Sequence, residues 1–412
     1  MKFVKGNAVV GQSGGPTSAI NATLAGVFKG AKDAECIDTI YGMVHGIAGL
    51  LNRDLVDMST QVKNDEDLAI LKATPSAFLG SCRYKLPALG EGKDIYEKIF
   101  EIFAEYNIKY FFYIGGNDSM DTVHKLSEYA AQINYEINII GVPKTIDNDL
   151  AVTDHTPGYG SAAKYIATAV REIIRDAVVY DKPMFTVMEI MGRNAGWLTA
   201  ASALARVDGF DGPDFIYLPE RLFDIDKFVA DVCELAKTKP HITVAVSEGI
   251  KSDENTYVCE AAIKNAATDS FGHKSLSGTA NYLAQIIGDK LGIKTRAVEF
   301  SLLQRCAAHC ASETDIEEGY AISQAAVQEA ISGGTGKMMY YKREDGPDYK
   351  VSFASMDISK IANVERVVPD EWINAEGNNV NDGFIDYALP LIQGEAPIYT
   401  KHGLPMHLVL KK

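Results

Sequence analysis

The run Pro143-Lys144-Thr145-Ile146-Asp147-Asn148-Asp149 sets a hydroxyl and two carboxylates at alternate positions, with an ammonium adjoining. In an extended segment alternate side chains share a side, so Thr145, Asp147 and Asp149 are expected to face one way. Upstream, Gly115-Gly116-Asn117-Asp118 follows an apolar aromatic run, Lys109 to Ile114, and precedes helical spacing. That order reads as strand, tight turn and helix, where close backbone and unpaired N–H groups favour a phosphate. Carboxylates beside a phosphate cradle suit the movement of a phosphoryl group onto an alcohol. Such a transfer rests on positioning and on neutralisation by cations and Mg²⁺, and one carboxylate must accept the hydroxyl proton. Asp147 is the candidate base, supported by Thr145 and Asp149.

Other stretches add parts. Gly11-Gln12-Ser13-Gly14-Gly15 lies between an apolar strand and a helix, a second cradle of the same design. It also satisfies the G-x-S-x-G pattern of a hydrolase nucleophile elbow, but Ser13 has almost no chain upstream to supply that fold's oxyanion N–H. Arg83 follows a short apolar approach with a glycine, and Met191-Gly192-Arg193 follows the strand Met184 to Met191. Glu248 ends the strand Ile242 to Val246, while Arg296 and Arg305 flank an expected strand, Thr295 to Leu303. Gly333-Gly334-Thr335-Gly336-Lys337 is no Walker loop, since Ile331 and Met338 stand where Gly and Ser or Thr are needed. Cys306 and Cys310, with only His309 nearby, make a poor metal site.

These parts need elements to hold them. At 412 residues, 47% hydrophobic and 23% charged, the chain can bury a large core in two or three domains. Strands alternate with helices, which predicts an α/β fold of mainly parallel sheets, with ligands at the carboxyl ends of strands. Every polar cluster named above falls at such an end. The net charge of −15 argues against nucleic acid or an anionic membrane as partner. Six cysteines without a CxxC fit reduced thiols. No leader-like start precedes the first strand, and no apolar run reaches the roughly 18 residues of a membrane span, so a cytoplasmic location is expected.

Taken together, Gly115 to Ser119, Pro143 to Asp149, Met191-Gly192-Arg193 and Gln304-Arg305 resemble the signature set of the 6-phosphofructokinases. The likeness runs from about Gly11 to Arg305. It implies two Rossmann-like domains with the active site in the cleft and a C-terminal extension. The corresponding boundaries are 1–158 plus 306–340 for the phosphoryl-donor domain and 159–305 for the sugar-phosphate domain. From Tyr340 the chain is more polar and broken by Gly346, Pro347, Pro369, Pro390 and Pro397, so 341–412 reads as a covering segment. It implies fructose 6-phosphate held by Thr145, Asp147, Asp149, Met191, Gly192, Arg193, Glu248, Arg296 and Arg305. Asp147 would take the proton of the C1 hydroxyl. The donor would meet Gly14, Gly15, Gly116, Asp118 and Lys144, with Arg83 bridging the transferred group.

The donor follows from two positions. ATP-using members usually carry Asp-Gly where this chain has Asn117-Asp118, and Gly where it has Lys144. A carboxylate at 118 fills space and repels a nucleotide α-phosphate, while Lys144 neutralises the end of a shorter donor. The chain is thus similar to the diphosphate-dependent branch, whose reaction is close to freely reversible; an ATP-dependent enzyme is the near alternative. Asn117 stands where an aspartate often helps to hold Mg²⁺, so Asp118, water or diphosphate oxygens would share the metal. Leu302 replaces a His or Tyr sugar contact, and Met184 replaces an arginine that reaches a neighbouring subunit. Lys182 is a candidate substitute, and Arg296 could act across an interface, since the family forms oligomers; a homodimer or homotetramer is expected. Sedoheptulose 7-phosphate offers the same C1 alcohol as a second acceptor.

Overall fold

Apolar side chains run continuously through the inner strands because both faces of the sheet are covered. Tyr110, Phe112 and Ile114 pack with Ala8 and Val10 beneath the helices Ile20–Lys32 and Glu313–Ile331. Phe111, Tyr113 and Val9 point the other way, toward Phe100 and Phe103 of the helix Lys93–Glu105 and Val123 of the helix Asn117–Gln132. The computed structural model describes residues 4–261, 276–361 and 364–411.

In chain order the strands are β1 (Gly6–Gln12), β2 (Ile37–Met43), β3 (Leu55–Asp57), β4 (Ile108–Gly115) and β5 (Asn138–Pro143). They continue with β6 (Met184–Ile190), β7 (Phe215–Tyr217), β8 (His241–Ser247), β9 (Lys294–Glu299), β10 (Lys337–Arg343) and β11 (Val351–Asp357). One sheet has the order β11-β10-β5-β4-β1-β2-β3, parallel except for its edge strands β3 and β11. The other, β7-β8-β6-β9, is parallel throughout. The chain is therefore α/β with two mainly parallel sheets.

Three sequence expectations change. The strand expected over Thr295 to Leu303 stops at Glu299, because Ser301 turns left-handed at φ 44° and a short helix, Leu303–Cys306, follows. The segment after Pro143 is bent, with Asn148 at φ 55°. Thr145, Asp147 and Asp149 nevertheless line the cleft while Ile146 and Asn148 are buried away from it, so alternate residues do separate, through a turn rather than a strand. The expected boundary at residue 340 falls inside β10.

Residues after 340 also enter both cores. β11 extends the larger sheet, while Val368, Ile373, Phe384, Tyr387 and Leu391 pack with Trp197 beside the smaller one. Trp197 lies 5.3 Å from the Tyr387 ring and 6.1 Å from that of Trp372. Just past the bent segment, His155 is buried between Asp154 at 2.8 Å and Glu318 at 2.7 Å, its ring stacked 4.2 Å from Tyr341. No helix among the described residues is long and apolar enough to cross a membrane.

Candidate active site

The carboxyl ends of β1, β4, β5 and β6 open onto one cleft of about 610 Å³. Its wall holds Gly14, Gly15 and Arg83 on one side and Gly116, Asn117 and Asp118 on another. Lys144, Thr145, Asp147 and Asp149 form its floor, and Arg193 closes it from the smaller sheet. Gly14 has φ +77°, which favours glycine at the first turn, and a Cβ there would lie 3.4 Å from Lys144 Nζ. The Gly14 N–H donates to the Cys82 carbonyl at 3.2 Å, which holds the cradle beside Arg83. Gly116 caps the helix Asn117–Gln132 without a side-chain bond, leaving the first N–H groups to a phosphate.

The remaining sugar-side candidates gather behind Arg193. The Gly192 N–H meets Glu248 Oε1 at 3.5 Å, and the Met191 N–H donates to Gln304 Oε1 at 3.2 Å. A Cβ on Gly249 would lie 2.1 Å from the Arg193 carbonyl oxygen, so that loop and the end of β8 touch through bare backbone. Arg305 reaches Gly15, its Nη1 3.4 Å from where a Cβ would be. Burial and the Arg83 guanidinium lower its pKa.

Arg296 stands apart. It pairs with Asp176 and lies 5.5 Å over the Tyr180 ring, lining a separate cavity of about 450 Å³ with Asp176, Phe300 and Leu303. Lys182 is exposed close by in sequence, Met184 is buried and Leu302 is exposed. Three wall residues escaped the sequence reading. Asn194 and Ala195 extend the Arg193 loop already singled out, but Glu365 comes from the C-terminal segment and had no motif to mark it.

Burial governs the charges. It lowers the Lys144 ammonium to about 8 although Asp147 and Asp149 oppose it. It raises Asp147, against the pull of Lys144, a Thr145 hydrogen bond and Arg193. Asp149 rises to about 7 through burial and the charges of Asp147 and Glu365, and Glu248 to about 7 chiefly through burial. Thr145 Oγ1 lies 3.3 Å from Asp147 Oδ2 and also accepts the Asp147 N–H at 3.1 Å. Ser13 donates to the Cys82 carbonyl at 3.4 Å, and among the described residues no imidazole partners it, which argues against the hydrolase elbow.

A cation has one prepared contact here. Asn117 Oδ1 is buried without a hydrogen-bond partner, while its Nδ2 donates to Asp149 Oδ2 at 3.3 Å. Among the described residues no three His, Cys, Asp or Glu side chains cluster as a metal site. The donor set therefore fits a divalent ion whose remaining ligands are phosphate oxygens and water.

The model of the family described as Phosphofructokinase matches residues 7–328. The chain belongs to the phosphofructokinase family. This phosphofructokinase is 40% identical over 412 residues to the pyrophosphate--fructose 6-phosphate 1-phosphotransferase of Xanthomonas campestris pv. campestris (strain B100), spanning 99% of this chain and 97% of the relative. The enzyme of the same name from Methylococcus capsulatus is 39% identical over 407 residues, 98% of this chain and 96% of its own. The crystal structure of a pyrophosphate-dependent phosphofructokinase from Nitrosospira multiformis matches with a TM-score of 0.87 at 38% identity, covering 98% of both chains. All the cradles of this phosphofructokinase lie within the matched span, whereas Glu365 lies beyond it.

Proposed function

We propose that the chain transfers a phosphoryl group from inorganic diphosphate to the C1 hydroxyl of fructose 6-phosphate, giving fructose 1,6-bisphosphate and phosphate. The observation that carries this reading is that Asp118 and Lys144 both line the cleft, beside Gly14 and Gly15. The acid occupies the space of a nucleotide's inner phosphate and repels it, while the ammonium meets the terminal phosphate of a short donor. Asp147 accepts the C1 proton, the new P–O bond forms as the bridging P–O bond breaks, and phosphate leaves against Arg83 and Lys144. A raised carboxyl suits the base, since its affinity for a proton approaches what the reaction needs at neutral pH. Thr145, Met191, Gly192, Arg193, Glu248 and Arg305 hold the sugar phosphate.

Mg²⁺ would be held by the Asn117 oxygen with diphosphate oxygens, Asp118 adjoining, and would neutralise charge on the donor. In this reading residues 1–158 with 306–340 form the donor side and 159–305 the sugar side. Arg296 and Lys182 serve a neighbouring subunit's sugar phosphate in a dimer or tetramer, and the enzyme works in the cytoplasm. A coupled assay with each donor tests the reading. Turnover is expected to be faster with diphosphate than with ATP, and the reverse order would reject it.

A further inference from the structure

The loop that carries Asp147 and Asp149 is held from behind by a segment outside every motif. The Arg366 guanidinium donates to the Asn148 carbonyl from Nε at 3.3 Å and from Nη2 at 3.2 Å, and to the Asp154 carbonyl from Nη1. Its backbone N–H donates to the Asp149 carbonyl at 2.7 Å. Asn148 is the left-handed residue between the two carboxylates, and its side chain is fixed by Tyr387 Oη at 2.8 Å. Arg366 itself lies 4.3 Å over the Trp197 ring, so its fork is pre-set. The preceding residue, Glu365, bridges Leu150 through the backbone, accepts from Asn194 Nδ2 at 3.1 Å and enters the cleft wall. Two adjacent residues thus touch the floor loop on one side of the cleft and the Arg193 loop on the other.

We propose that Glu365 and Arg366 are positioning residues for phosphoryl transfer, Arg366 fixing the turn that presents Asp147 and Glu365 setting the charge around it. This rests on the function proposed above. A left-handed residue at φ 55° persists only when its surroundings over-determine it. Four hydrogen bonds from Arg366 to Asn148, Asp149 and Asp154 do so. The groups facing Asp147 are Lys144, Arg193, Thr145, Arg305, Asp149, Glu248 and Glu365. Of these, Glu365 alone comes from the C-terminal segment, and its negative charge raises the Asp147 carboxyl.

The test uses the full chain, fructose 6-phosphate and whichever donor the wild type turns over, so that failure of the donor assignment is seen in the wild type alone. Arg366→Ala should lower kcat by roughly thirtyfold or more, with both KM values within about threefold, because a misplaced base loses rate rather than binding. Millimolar guanidinium should restore part of that kcat, and Arg366→Lys should fall between. Glu365→Gln should move the acid limb of kcat/KM down by roughly half a pH unit, since a neutral neighbour releases the base to ionise earlier. Wild-type kcat in Arg366→Ala, or a loss that guanidinium does not relieve, overturns the role of Arg366. An unmoved acid limb in Glu365→Gln overturns that of Glu365, and decides the proposal by itself where Arg366→Ala does not fold.

Discussion

Lys144 Nζ donates to the Gly15 carbonyl oxygen at 2.8 Å, tying the end of β5 to the glycine turn after β1. One ammonium thereby shapes the donor cradle and supplies its charge. Because its pKa is lowered to about 8 by burial, that charge is present at neutral pH and lost as pH rises through about 8. The alkaline limb of kcat/KM for diphosphate should fall in that region. Lys144→Gln should cost about 10²-fold or more in kcat and abolish the limb, as measured in initial-rate profiles.

Asp118→Gly should relax the exclusion of ATP while lowering diphosphate turnover. Removing the carboxylate opens the space a nucleotide's inner phosphate would fill and ends the repulsion. The ratio of kcat/KM with ATP to that with diphosphate should rise by roughly tenfold or more; an unchanged ratio would show that the acid does not select the donor.

Asp147→Asn should leave fructose 6-phosphate binding within a few-fold by calorimetry and reduce kcat by roughly 10³-fold, the scale of a lost general base. The amide keeps the shape and the Thr145 contacts but cannot take the proton.

Chelation should abolish turnover and added Mg²⁺ restore it. Asn117→Asp should lower the Mg²⁺ concentration needed for half-maximal rate, because a carboxylate replaces the neutral oxygen that lies buried without a partner.

His155 gives a stability prediction with a definite sign. Burial alone would lower its pKa, but hydrogen bonds to Asp154 and Glu318 outweigh it and raise the value above 6.5. The stabilisation is full below the unfolded value and fades as pH rises through the raised folded one. Melting temperatures of wild type and His155→Gln should therefore differ most in mild acid and converge in alkali.

Much of this was legible beforehand. The glycine turns and apolar runs around β1, β4, β5 and β6 are local signals, and they placed Gly14, Gly116, Asp118, Lys144, Asp147 and Arg193, all of which reach one cleft. The common side of Thr145, Asp147 and Asp149 was anticipated on a wrong premise, since the turn at Asn148 produces it. What escaped was long-range. Glu365 joins Asn194 across 171 residues, and no local pattern encodes a contact of that separation. The covering role expected after residue 340 rested on polarity and prolines, whereas β11 and the Trp197 ring cluster draw that stretch into both cores.

The grip of Arg366 on the bent loop bears on how this enzyme can be cut or grafted. A fragment stopping after the helix Glu313–Ile331 would keep each recognisable signature yet leave the Asn148 and Asp154 carbonyls without their guanidinium. Trimming to the matched span would also strip β10, β11 and the core residues Val368, Ile373, Phe384, Tyr387 and Leu391, so the reactive groups would remain in the chain without the scaffold that holds them. Chimeras between family members should exchange the 364–368 stretch together with the 145–154 loop, as one heritable unit.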